Sequence, residues 1–428
     1  MNYQDFLKTK SKIQIHKGFS PFEMNKNLFP FQKFIVERNV SKAKYGVFAD
    51  CGLGKTIMEL ETATQTVRKT NKKALILSPL VVVAQTKREA EKFDFDMDKV
   101  VMTNFENLHN INPNEFSSLI VDESSIMKNF EGKLKKQIFD YFRNTEYKFA
   151  FTATPSPNDP MEIGNHSEFL DYQTRLEMLA TYFINDQDHT SKWRLKGHAV
   201  DKFYNAMSNW AIMLTKPQDI GFDMPGYDLS EINYQEFKIE TDKLNNGLLF
   251  NDLAISATDF NGELRRTKKQ RIEKAAELAS KKTNHIVWVK HNEESSEVTK
   301  MIDGAIEVSG ADRPEEKAEK LLAFANDEFR VLVTKSKIAQ YGLNFQNCAS
   351  QIFMSPDFSF ESLYQSVRRS HRFGQKNRVD INLITTDTMQ NVIETIKTKE
   401  EQFKIMQQLM IKNQNLWTKD IKQYGVTA

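Results

Sequence analysis

At 428 residues the chain is longer than one ordinary core accommodates, so two lobes are expected. Its 40% hydrophobic and 27% charged residues read as a soluble globular protein. No run of about 18 apolar residues suggests a membrane span, and the first residues lack the apolar core of a secretory signal, so a cytoplasmic location is expected. A net charge of only +2 leaves any nucleic-acid surface to a local patch, and two cysteines, Cys51 and Cys348, are too few for a disulfide framework or a Cys-rich zinc site.

In the first third, short apolar runs predict strands over Tyr45–Ala49, Ala74–Ser78, Val100–Thr103, Leu119–Asp122 and Lys148–Thr152. Helices are predicted between them over Lys55–Lys69, Val82–Phe93 and Gly132–Arg143. Nearly continuous apolar strands alternating with helices indicate a parallel sheet covered on both faces, an α/β fold whose ligands bind beyond the carboxyl ends of the strands.

Two strand ends carry chemistry. After the first strand comes Gly52-Leu-Gly54-Lys55-Thr56, a compact phosphate-binding loop. Glycines let backbone N–H groups turn toward a phosphate, and the following helix adds its positive end. Lys55 is placed to reach the β- and γ-phosphates of ATP, and the Thr56 hydroxyl to ligate Mg²⁺. The run ending in Asp122-Glu123 supplies a second metal ligand, Asp122, and a base for the attacking water, Glu123.

The middle, residues 158–270, is the least legible and is read as a mainly helical insertion and linker, following a first lobe over 1–157. Trp193 and Trp210 are better placed in a core than on a base-stacking surface. The basic cluster Arg265, Arg266, Lys268, Lys269 and Arg271 fits a phosphate-binding patch and a solvated helix face equally well. Lys133, Lys135 and Lys136 read as ordinary surface.

A second set of strands is predicted over His285–Lys290, Ala305–Val308, Arg330–Thr334, Gln351–Met354 and Asp380–Ile384, with helices over Arg313–Ala325 and Phe360–Ser370. No second phosphate loop accompanies them. A second lobe over 271–390 sharing one nucleotide with the first is therefore expected, with C-terminal helices over 391–428. On the predicted helix, Gln365, Arg369 and Arg372 share a face, where two guanidiniums can act on the charge of a transferring phosphoryl group.

These motifs, in this order, resemble the superfamily 2 helicases and, within them, the Snf2-like translocases. Phe31-Gln32 resembles the glutamine motif that reads adenine, Gly52–Thr56 motif I, Leu77–Leu80 motif Ia and Thr103–Leu108 motif Ib. Asp122–Ser125 resembles motif II, Phe151–Pro155 motif III and His285–Lys290 motif IV. Val333–Phe345, with Gly342, resembles motif V, and Gln365–Gln375 resembles motif VI; its ending His-Arg-Phe-Gly-Gln is the most Snf2-like piece. Size and the 158–270 stretch resemble the short Snf2-like helicases of bacteriophages.

The resemblance implies two RecA-like lobes and a nucleotide site of Gln32, Gly52, Gly54, Lys55, Thr56, Asp122, Gly342 and Gln365. It also implies DNA, duplex or forked and read without sequence preference, near Ser78, Thr103, Asn104 and Thr334. A monomer with phage replication proteins as partners fits the same picture. RNA remodelling, strand separation, or a P-loop switch acting on protein partners are the alternatives. Three departures stand out: Ser125 replaces the histidine usual in motif II, Arg368 replaces a glycine in motif VI, and Cys51 stands inside the phosphate loop, where its thiol reads as a small filler.

Overall fold

A computed structural model describes residues 17–128, 132–185, 193–240, 257–338 and 344–414. The apolar runs of the first third form strands β1 (Lys44–Ala49), β2 (Lys73–Ser78), β3 (Val100–Asn104), β4 (Phe116–Val121) and β5 (Tyr147–Phe151). Two three-residue strands, β6 (Phe183–Asn185) and β7 (Trp193–Leu195), pair antiparallel with each other. β8 (Ala211–Leu214) then joins the main sheet, whose order is β3-β2-β4-β5-β1-β8 with parallel pairing throughout. Every residue of β4, β5 and β8 is buried, and β1 and β2 are buried beyond their first residue. Burial on both faces is why these segments read as unbroken apolar runs.

The later strands are β9 (Asn233–Ile239), β10 (His285–Trp288), β11 (Ala305–Val308), β12 (Val331–Thr334), β13 (Ser350–Phe353) and β14 (Asp380–Thr386). They form a second parallel sheet, ordered β11-β12-β10-β13-β14-β9. Alternate residues serve opposite faces of it. Ile286, Trp288, Leu332, Phe353 and Ile381 enter one apolar cluster, while Val287, Val331, Val333, Ile352 and Ile384 enter another. The α/β fold class expected from the sequence is thus observed in both sheets.

The chain divides into two compact units, Met1–Met224 with Phe403–Ala428, and Pro225–Gln402. This boundary falls inside the segment read as an insertion. That reading is corrected: besides its helices, the segment supplies β8 to the first sheet and β9 to the second. Four- and seven-residue edge strands with little alternation gave no periodic signal to find. β8 is a sheet edge, and its outward backbone is not left open: Gln414 Nε2 donates to the Met213 carbonyl at 2.7 Å, and Gln414 Oε1 accepts from the Met213 N–H.

Further readings change with the packing. The helix Phe360–Val367 stops before Arg368, so Arg369 and Arg372 lie in the turns after it and not on a shared helical face with Gln365. Arg271 is buried, Arg266 pairs with Glu263 and Lys268 with Glu297, so the basic cluster is largely ion-paired. Lys135 is buried against Asn165, and Trp210 belongs to the core.

Candidate active site

Between β1 and the helix Lys55–Thr70 the backbone turns sharply, with φ of 90° at Gly52 and 75° at Gly54. Both lie in the left-handed region, where a side chain is strained. Gly54 has a second constraint, because a β-carbon there would run into the amide of Gln32. Gln32 Nε2 donates to the Leu53 carbonyl at 3.0 Å, and its Oε1 accepts from the Phe29 N–H at 2.9 Å. In this structure Gln32 therefore props the phosphate loop with one end of its amide and caps the helix Pro30–Lys42 with the other.

Lys55 follows at the helix start, half-buried, its Nζ 3.0 Å from the Ala49 carbonyl and 3.4 Å from that of Asp50. Burial pulls its pKa down, but the negative groups of Cys51, Glu123, Asp122 and Asp50 outweigh that and hold it above the usual lysine value. The lysine is a firm cation facing the carboxylates of motif II.

Those carboxylates leave the end of β4. The Asp122 N–H donates to the Leu77 carbonyl at 2.9 Å, and Asp122 Oδ1 accepts from the Glu123 N–H at 2.8 Å. Glu123 itself has φ of 49°, a left-handed conformation that a glutamate adopts only when its surroundings enforce it. Buried beside them is a carboxyl the sequence reading did not single out, Glu59, one turn along the helix from Lys55. Burial and then the charge of Asp122 raise its pKa well above the carboxylate range.

Thr56, half-buried, and Asp122 offer hard oxygen donors of the kind Mg²⁺ takes. Among the described residues no group of three or more His, Cys, Asp or Glu is placed to hold a metal.

In the second unit the motif VI turn is tightly built. Phe345 donates its N–H to the Arg369 carbonyl at 2.9 Å, and Gln375 Nε2 reaches the carbonyls of Gln346 at 3.0 Å and Ser370 at 3.2 Å. Arg368 lies over the Tyr364 ring at 4.9 Å and meets His371 Nδ1 at 2.7 Å, while His371 Nε2 donates to the Ser230 carbonyl at 2.7 Å. Those partners place the imidazole proton on Nε2. Arg369, Arg372 and Gln365 are half-buried; Gly342 lies outside the described residues.

The residues expected near nucleic acid are less open than the sequence suggests. Ser78 is buried, Asn104 is buried with its Oδ1 accepting from the Asn107 N–H, and Thr103 is half-buried. Thr334 is fully buried and gives its hydroxyl proton to the Val308 carbonyl at 2.9 Å. By contrast, Lys290, His291, Lys335 and Lys337 line a cavity of about 470 Å³ beyond the ends of β10 and β12, with the hydroxyls of Ser336 and Ser355. Lysines directly after a strand end were the available sequence signal for it.

Residues 267–374 match the model of the helicase conserved C-terminal domain. Over 89 residues the chain is 34% identical to the nuclear protein STH1/NPS1 of Saccharomyces cerevisiae. Over residues 267–374 the chain is similar to the C-terminal domain of helicases. The yeast alignment covers 20% of this chain and only 6% of the relative's length. A solved structure, the Sulfolobus solfataricus SWI2/SNF2 ATPase core in complex with dsDNA, aligns over 96% of this chain and 100% of that one at 15% identity, with a TM-score of 0.43. No helix among the described residues is long and apolar enough to cross a membrane.

Proposed function

We propose that the chain is a DNA-stimulated ATPase that uses hydrolysis to move along duplex or forked DNA without reading its sequence. The observation that carries this is the meeting of Lys55, after β1, with Asp122 and Glu123, after β4, at the carboxyl ends of strands on either side of β5 in the first unit, in a chain whose second unit matches the helicase C-terminal domain.

In this reading the loop amides and Lys55 bind the phosphates of ATP. Thr56 and Asp122 would hold Mg²⁺, which supplies charge neutralisation at the phosphate oxygens. Glu123, fixed by its left-handed backbone, orients water and takes its proton. Arg369 and Arg372 are assigned to the charge that spreads over the γ-phosphoryl group during transfer. Lys290, Lys335 and Lys337 are assigned to DNA phosphates, which carry no sequence information. The resemblance to phage helicases supports a monomer working in phage DNA replication or recombination.

The test is the ATPase rate without nucleic acid, then with single-stranded DNA, duplex DNA, forked DNA and RNA, for the unsubstituted chain, Lys55→Ala and Glu123→Gln. Turnover should be stimulated most by duplex or forked DNA, vanish in Lys55→Ala, and fall by about 10²–10⁴ in Glu123→Gln with ATP still bound. Stimulation by RNA alone would replace the DNA reading, and normal turnover in Lys55→Ala would remove the site.

A further inference from the structure

The helix Ile163–Phe169 lies against the turn Ser124–Lys128 that continues from Glu123. Two consecutive side chains of that helix hold the turn at both ends. Asn165 Nδ2 donates to the carbonyls of Met127 at 2.9 Å and Lys128 at 3.0 Å, and its Oδ1 accepts from Lys135 Nζ at 3.0 Å. His166 Nε2 shares a hydrogen bond of 3.0 Å with Ser124 Oγ. The imidazole also stands edge-on to Phe48 of β1, ring centres 5.3 Å apart. It thus touches the strand that feeds the phosphate loop and the residue that follows Glu123.

Asn165, His166 and Ser124 are all buried. Burial lowers the imidazole pKa to about 3, so the ring is neutral at working pH. Its Nδ1 has no hydrogen-bond partner among the described residues. Leaving a buried nitrogen unsatisfied is unfavourable, and an apolar side chain would avoid it, so packing alone does not explain a histidine at this position. What does need explaining is how Glu123 is kept at φ 49°, since strain at one residue persists only where neighbours over-determine it.

We propose that Asn165 and His166 form a clasp that positions Glu123 for hydrolysis, His166 acting through Ser124 in place of the imidazole that Ser125 lacks. Neither is a catalytic residue, for neither reaches the reacting atoms; both act through the turn they hold. The proposal rests on the ATPase reading given above.

It is tested with the full chain carrying His166→Phe, which keeps a ring against Phe48 but deletes the hydrogen bond, His166→Gln, which restores one, and Ser124→Ala, the smallest change. The double variant Ser124→Ala/His166→Phe completes the cycle. Equilibrium binding of a fluorescent ATP analogue, kcat and Tm are measured for each. Misplacing Glu123 should lower kcat by about 10–10²-fold in His166→Phe and in Ser124→Ala. Analogue affinity should be unchanged, Gln should recover most of the rate, and the double variant should be no worse than the poorer single one. Wild-type kcat in folded Ser124→Ala overturns the clasp, even if His166→Phe fails to fold. Equal losses in binding and rate, or additive losses in the double variant, overturn it too. No hydrolysis by the unsubstituted chain would instead sink the ATPase reading, so the two failures are distinct.

Discussion

Arg271 and Glu294 form an ion pair 2.6 Å apart inside the second unit, the guanidinium 0% and the carboxylate 1% exposed. Arg271 also donates to the Met354 carbonyl at 3.0 Å, and Glu294 Oε2 accepts from Ser355 Oγ at 3.0 Å and from the N–H of His291 at 3.2 Å. The pair therefore ties two helices to the end of β13, directly behind the lysine-lined cavity. Breaking it strands a charge in the interior: Arg271→Ala should cost about 3–5 kcal/mol of unfolding free energy. Denaturant titration of the chain and the variant measures this. Burial pushes the Glu294 carboxyl up, but Arg271 outweighs it and leaves the pKa below the usual glutamate range. Its stabilisation is therefore present above that range and is lost as pH falls through the lowered value.

His166 gives a second acid dependence, from the opposite kind of group. Burial lowers its pKa from 6.5 to about 3, so between those values the unfolded chain binds a proton that the folded one refuses. Stability should be full above pH 6.5 and fall by up to about 1.4 kcal/mol per pH unit below it. Thermal melts of the unsubstituted chain and His166→Phe over that range measure the difference, and the variant should show the shallower acid dependence.

Replacing Arg369 or Arg372 with alanine should slow hydrolysis far more than it weakens ATP binding. Such arginines are worth roughly 10³–10⁵ in rate, and two acting together share that. Arg368 is not a neutral control, because it stacks on Tyr364 and holds His371. Arg378, with its exposed guanidinium 3.5 Å from Asp380, serves instead. Equal damage from Arg378→Ala would mean a generally basic surface.

If the cavity lysines meet DNA phosphates, Lys335→Ala and Lys337→Ala should each weaken binding to all sequences alike. Each lost phosphate contact should flatten the slope of log K against log salt by about 0.9. Thr334→Val should cost about 1 kcal/mol of stability by removing the hydrogen bond to Val308, without altering that slope. A flattened slope in Thr334→Val, with none in the lysine variants, would return the contact to the residue named from sequence.

What the sequence by itself determined is local. The apolar runs of β1, β2, β4 and β10 to β13, the glycines before Lys55 and the acids after Val121 are each written in a few consecutive residues. The strand pattern follows from those residues, and the glycines are what permit the loop's positive φ angles. Tertiary structure decided which side chains are free to act. Gln32 is committed to Leu53, Thr334 to Val308, Arg271 to Glu294, and His166 to Ser124 across 42 positions. A buried polar group takes whichever partner the packed chain brings to it. That partner lies more than twenty residues away in all four cases, where no periodicity or neighbouring residue records it.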